Sequence, residues 1–223
     1  RTPEAAPGAT APEAGAPDAA APAAGSRLSP AAARQLADSA VQLAAGDRSR
    51  AEAALPGLVD LARENPDVAE VQYNLGLAYQ TVGNTEGARK AWSRATEIDP
   101  TFARAWLNLG VLSARVGRLD MALATFKTGT RYNYRDVELR VASVEALRQL
   151  KRYDDAIAAG KAALGINSKA KDVYTALARV YLETNRVDLA QFILEKALIE
   201  IKNAGQDAAL HAALGKVYRQ KGF

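Results

Sequence analysis

Residues 68–100 read VAEVQYNLGLAYQTVGNTEGARKAWSRATEIDP, and the fold turns on this stretch. Leu75, Gly76 and Tyr79 recur at the spacing of one helical face, Gly83-Asn84 interrupts, and Ala88, Trp92 and Ala95 resume the spacing until Pro100 stops it. The pattern predicts two helices joined by a tight turn. One such hairpin cannot hide its apolar face by itself, so it needs neighbours of its own kind. The neighbours are there: 34 residues on, Leu109-Gly110 repeats Leu75-Gly76, with Gly117, Ala122 and Phe126 behind it. Further units begin near Val137 and Lys171 at the same step. A fixed period of this length predicts an all-α stacked array.

With Leu75-Gly76, Tyr79, Gly83, Ala88, Trp92, Ala95 and Pro100 at these spacings, the stretch resembles a tetratricopeptide repeat (TPR), and Trp106 to Phe126 resembles a second. The fourth unit keeps Tyr174, Leu177-Ala178, Tyr181, Ala190, Leu194 and Ala197 where the family places packing residues. The third is worn, with Ser143-Val144 in place of Leu-Gly and Gly160 in place of an aromatic. The resemblance implies a superhelical solenoid of antiparallel helix pairs, in which Gly76 faces Ala88 and Trp92, Trp106 and Phe126 are core. Leu109 then counts as a core position too, where Leu109→Ala would cost roughly 2–5 kcal/mol.

The chain divides accordingly. Residues 1–28, rich in Ala and Pro, read as a disordered tether with no side chain large enough to repay ordering. Residues 29–66 read as a degenerate helical hairpin, either a cap or a divergent repeat. Ser29-Pro30 starts it, Gly46-Asp47 breaks it, and Pro56-Gly57 is expected to kink or delay its second helix. Residues 67–223 read as the array, with repeats 67–100, 101–134, 135–168 and 169–204 and a partial repeat 205–223. Asp67 with Glu70 has the form of a capping box. His211, Leu214-Gly215 and Tyr218 open the fifth unit, and a natural chain continuing past Phe223 is the favoured expectation.

Composition excludes much chemistry. One His and no Cys leave no zinc constellation, thiol nucleophile or disulfide framework, so no catalytic, metal-ligating or cofactor-binding residue is assigned and no cofactor is expected. The lone His211 is read as a packing residue and the pair Asp154-Asp155 as favourable charge at a helix start. A formal charge of +4 is mild for 223 residues, and no nucleic-acid partner is expected. No apolar run long enough to span a membrane occurs. Tyr132 and Tyr134, between Arg131 and Arg135, are either an exposed contact or, the favoured alternative, folded back on the helix ends.

The family resemblance also implies which positions line a concave groove. In the first unit they are Glu70, Tyr73, Asn74, Leu77 and Gln80; in the second, Arg104, Leu107, Asn108, Val111 and Arg115. The third unit contributes Glu138, Val141, Glu145 and Arg148, and the fourth Asp172, Thr175 and Arg179. Together they describe an apolar stripe of Tyr73, Leu77, Leu107, Val111 and Val141 edged by both charges, suited to an extended or helical segment of another protein. The competing reading is that these apolar residues merely seal neighbouring helices. Asn74 and Asn108 resemble two rungs of the asparagine ladders that hold peptide backbones in some TPR proteins, against the simpler reading of two solvated side chains. The carboxylate clamp of chaperone-binding TPR domains is not matched, since Tyr73, Leu77, Glu138 and Ala142 replace four of its five residues.

The expected function is therefore a non-enzymatic protein-binding scaffold. Composition and the leader's weak likeness to those of bacterial envelope lipoproteins point to a lipid-anchored component of a periplasmic or outer-membrane machine for secretion, pilus assembly or surface motility. The alternatives are a recognition domain of a larger enzyme, such as a glycosyltransferase, and a cytoplasmic assembly chaperone. Oligomeric state is left open.

Overall fold

The structure, a computed structural model, describes residue 20 and residues 28–201 and 204–223. Apart from Ala20 and Leu28, the expected tether lies outside the described residues. Among the described residues there are eleven α-helices and no strand: α1 (Pro30–Ala44), α2 (Arg48–Glu64), α3 (Ala69–Thr81), α4 (Thr85–Ile98), α5 (Ala103–Arg115), α6 (Leu119–Tyr132), α7 (Val137–Gln149), α8 (Tyr153–Ile166), α9 (Lys171–Glu183), α10 (Val187–Glu200) and α11 (Ala208–Gln220). The fold is all-α, of the TPR solenoid class. Two compact units are formed, one from α1 to α5 with Ala20 and the other from α6 to α11. Their boundary after Gly117 falls inside the repeat expected at 101–134.

In the first unit local chemistry sets the helix ends. Ser29 Oγ accepts from the Ala32 N–H at 3.2 Å with Pro30 in the first turn, Asp47 Oδ1 accepts from Arg50 N–H at 2.9 Å, and Asn84 Oδ1 accepts from Gly87 N–H at 2.8 Å. The expected capping box does not form: Val68 starts α3 without a side-chain bond, and Asp67 is turned to Arg94 at 2.7 Å. Pro56 neither breaks nor delays α2, which runs on from Arg48 to Glu64. Each second helix buries one stripe, as in Ala51, Ala54, Leu58 and Leu61 of α2. By contrast α3, packed by α1, α2 and α4, is buried nearly all round.

The close approach in this unit is at Gly76. A Cβ there would stand 2.3 Å from Trp92 Nε1 and 2.5 Å from Trp92 Cδ1, so Gly76 admits the indole rather than serving chiefly as a partner for Ala88. Trp92 Nε1 then donates to the Tyr73 carbonyl at 3.1 Å, satisfying the one polar atom of a fully buried ring. Phe126 in the second unit is equally buried. Trp106 is only half-buried, donating from Nε1 to the Pro100 carbonyl at 2.9 Å, and Leu109 is half-buried as well, so truncation there removes less than a full core side chain.

The second unit is assembled on the same plan with different detail. Gly160, out of place for the family, leaves room for Leu177 of α9, whose Cδ2 would lie 2.5 Å from an added Cβ. Glu145 on α7 is buried and accepts hydrogen bonds from Arg148 Nε at 3.0 Å, Gln149 Nε2 at 3.2 Å and Arg179 Nη1 at 3.3 Å. Arg148 also pairs with Glu183, so α7 and α9 are tied by ion pairs running both ways. Lys171 Nζ to Asp207 Oδ2 at 2.8 Å ties α9 to the cap of α11. The turns repeat one geometry: Gly83 (φ +88°), Lys151 (φ +58°) and Asn185 (φ +57°) each occupy the left-handed region just after a first helix.

Gly76→Ala should lower stability by about 1–3 kcal/mol despite the better helix propensity of Ala, because the indole must move. Gly215→Ala, where nothing lies within 4 Å of the new Cβ, should be neutral or stabilising by up to about 1 kcal/mol; urea unfolding of both variants checks the pair. At Glu145 burial pushes the carboxyl up, but the hydrogen bonds and charges of Arg148, Gln149 and Arg179 outweigh it, and the folded pKa is lowered. A lowered carboxylate pKa gives stability that is complete above the unfolded value, near ~4.3, and lost as pH falls through the folded value. Glu145→Gln should thus cost about 2 kcal/mol at neutral pH, and its deficit relative to the wild type should shrink below about pH 4. Denaturant titration at several pH values measures this.

Candidate functional site

The positions expected to line a groove are carried by α3 and α5 in the first unit and by α7 and α9 in the second. On α3, Tyr73 is 2%, Asn74 0% and Leu77 1% exposed, while Glu70 and Gln80 are half-buried. On α5, Val111 is buried, Leu107 and Asn108 are half-buried, and Arg104 and Arg115 are both exposed. Three of the five residues of the expected apolar stripe are therefore interior. Tyr73, Leu77 and Val111 seal neighbouring elements, and Leu107 is the partly open apolar side chain of this face. The tilted ring contact of Tyr73 with Phe102, centroids 5.1 Å apart, shows the seal directly.

Both asparagines are hydrogen-bonded within the protein, Asn74 buried and Asn108 half-buried. Asn108 Nδ2 donates to the Tyr73 hydroxyl oxygen at 3.2 Å, which joins α5 to α3. Asn74 is fully buried in the middle of α3, and its carboxamide is met by backbone from far away: the Ala20 N–H donates to Asn74 Oδ1 at 2.9 Å, and Asn74 Nδ2 donates to the Ala20 carbonyl at 2.8 Å. Ala20 belongs to the same buried apolar cluster as Leu36, Tyr73 and Leu77, with Leu28 packed at its edge. Asn74 thus meets the N–H and C=O of one residue with a paired acceptor and donor.

In the second unit the expected residues behave as structure. Glu145, Arg148 and Arg179 come together in the cluster described above. Thr175 is half-buried with its hydroxyl donating to the Asp172 carbonyl at 3.0 Å, Val141 is half-buried, and Glu138 and Asp172 are exposed. The mutual neutralisation of Glu145 and its arginines leaves fewer free charges on this face than the sequence implied. His211, expected in packing, is exposed, with Nε2 2.8 Å from the Gly205 carbonyl oxygen.

Two features were missed from sequence. Ala20 is one alanine in an alanine-rich run, 54 residues from its partner, and no local signal marks it. The second is an exposed apolar row on α10, Leu189, Phe192 and Ile199, whose signal was the apolar residues on both faces of VDLAQFILEKALIE. Tyr132 and Tyr134 are also open, 52% and 61% exposed, and do not fold back; Arg135 lies 5.3 Å from the Tyr134 ring centroid. Two clefts of about 560 and 470 Å³ lie between α3 and α4 and between α1 and α2, away from the expected groove residues of α5. Among the described residues no group of His, Asp or Glu is placed to hold a metal, and no helix is long and apolar enough to cross a membrane.

Residues 147–217 and 114–171 match families described as tetratricopeptide repeat, and residues 82–117 match one described as TPR repeat. Among solved structures the fold is similar to TTC0263, a thermophilic TPR protein of Thermus thermophilus, with a TM-score of 0.62 and 25% identity over 84% of this chain and 98% of that one. It is also similar to YrrB, described as a TPR protein with an unusual peptide-binding site, with a TM-score of 0.56 and 20% identity over 74% of this chain and 84% of that one. One curated relative, anaphase-promoting complex subunit CDC16 of Saccharomyces cerevisiae (strain ATCC 204508 / S288c), is 31% identical over 72 residues, 32% of this chain and 9% of that protein. The chain therefore spans under a tenth of that relative's length. Helix pairing, turn geometry and the three matched stretches agree: the chain belongs to the tetratricopeptide repeat family.

Proposed function

We propose that the chain is a non-enzymatic scaffold that binds an extended segment of another protein along α3 and α5. The observation that carries this is the pairing of the Asn74 carboxamide with the backbone of Ala20, because it is a seat built for main chain on this face. On the neighbouring α5, half-buried Leu107 and the exposed cations Arg104 and Arg115 add one apolar and two charged side chains. They favour a segment that alternates apolar and acidic residues. YrrB, similar in fold, is a TPR protein with a peptide-binding site, in keeping with this use. The Ala/Pro-rich leader supports placement in a bacterial envelope assembly, and fractionation of the native host tests that placement.

Leu107→Glu in the full chain should remove the proteins captured by the wild type while leaving the helical circular dichroism spectrum unchanged, since the residue is only half-buried. Phe192→Glu, on the exposed row of α10, should leave capture intact. Quantitative mass spectrometry of parallel pull-downs reads the difference. Retention of the same set by Leu107→Glu, or its loss with Phe192→Glu alone, moves the working surface off α3 and α5.

A further inference from the structure

Asn74 is fully buried on a helix, yet both halves of its carboxamide are satisfied by one residue 54 positions earlier. The N–H and C=O of a single residue face the same way only when the backbone is extended, which is how one strand residue addresses its neighbour in a sheet. Asn74 therefore takes the part of a strand residue and reads Ala20 as main chain. Ala20 is itself 7% exposed, so the seat holds a small side chain as well as a backbone.

We propose that Ala20 is a ligand in cis: this residue of the chain itself occupies the peptide seat of α3, and an outside segment gains the seat only by displacing it. This rests on the reading of α3 and α5 as the partner-binding face, and adds that the face is filled when no partner is present. The leader is suited to the part. It is rich in Ala and Pro, so it offers small side chains and pre-extended backbone, and nothing bulky competes with release. A ligand carried on the same chain is presented at an effective concentration on the order of millimolar. A weak pairing of two hydrogen bonds thus keeps the seat closed, and a partner with additional contacts to α5 opens it.

The test uses the full chain. The Ala20 amide, followed by hydrogen exchange with ¹⁵N-alanine labelling, should exchange at least about tenfold more slowly than the same amide in a synthetic peptide of residues 12–27. Equal rates overturn the proposal whether or not any partner is ever found, and so separate its failure from that of the scaffold reading. Ala20→Pro deletes the N–H that Asn74 accepts and touches no helix, so it should open the seat. The 12–27 peptide, titrated at millimolar concentration and followed through the side-chain amide signals of Asn74, should bind Ala20→Pro at least about tenfold more tightly than the wild type. Adding Asn74→Gln should abolish that binding while circular dichroism stays unchanged. Equal binding to wild type and Ala20→Pro, or binding to neither, overturns the self-occupied seat.

Discussion

The indole of Trp92 seated on the bare backbone of Gly76 is the joint on which the first unit depends. It brings α4 so close to α3 that the ring nitrogen reaches the Tyr73 carbonyl. Tyr73 is thereby fixed at the centre of α3, with its ring against Phe102 and its hydroxyl under Asn108. The next residue, Asn74, is turned about 100° round the helix from Tyr73 and pairs its carboxamide with Ala20. One missing side chain thus sets the spacing of three helices and the aim of the carboxamide that reaches Ala20. The family's small-to-small contact is a looser description of the same constraint, since here the small residue is matched to a large one.

The second unit solves the equivalent problem with charge. Where Gly-Trp packing is absent, Ser143 bonds back to the Leu139 carbonyl and Glu145 gathers Arg148, Gln149 and Arg179 around a buried carboxylate. Burying an ion pair adds little net stability against apolar packing, but removing one partner is costly. The worn repeat therefore holds its register through specificity of pairing, and its inner face is correspondingly less available for a partner's charges. The difference between the units lies in what each first helix gathers: the Ala20 backbone at Asn74 on α3, a self-satisfied charged cluster on α7 and α9.

Periodicity made the helices and turns legible. Ser29-Pro30, Gly46-Asp47 and Gly83-Asn84 mark ends that the structure places within a residue or two, because capping is local chemistry. Long-range choices were not legible. Asp67 prefers Arg94, 27 residues away, over its own helix start. Tyr73, Leu77 and Val111 sit at positions that face the groove by repeat number, but their burial depends on what covers them, which repeat numbering does not encode. Ala20 was invisible for the same reason, since only the fold brings it to Asn74. The tyrosines of the TRYNYRD turn, by contrast, were misjudged on general preference: their backbone turn ties to Arg140, leaving the rings outward.

The left-handed residues at the turns carry one more implication. Gly83 adopts its conformation freely, whereas Lys151 holds the same shape against the steric preference of a side-chain-bearing residue, at a cost of about 1 kcal/mol, and Asn185 at somewhat less. Near-identical modules thus differ in how firmly each corner is folded. A chain of perfect copies would carry the same strain at every corner; in this one the glycine corners after α1, α3 and α5 carry none, and the corner after α7 carries the most.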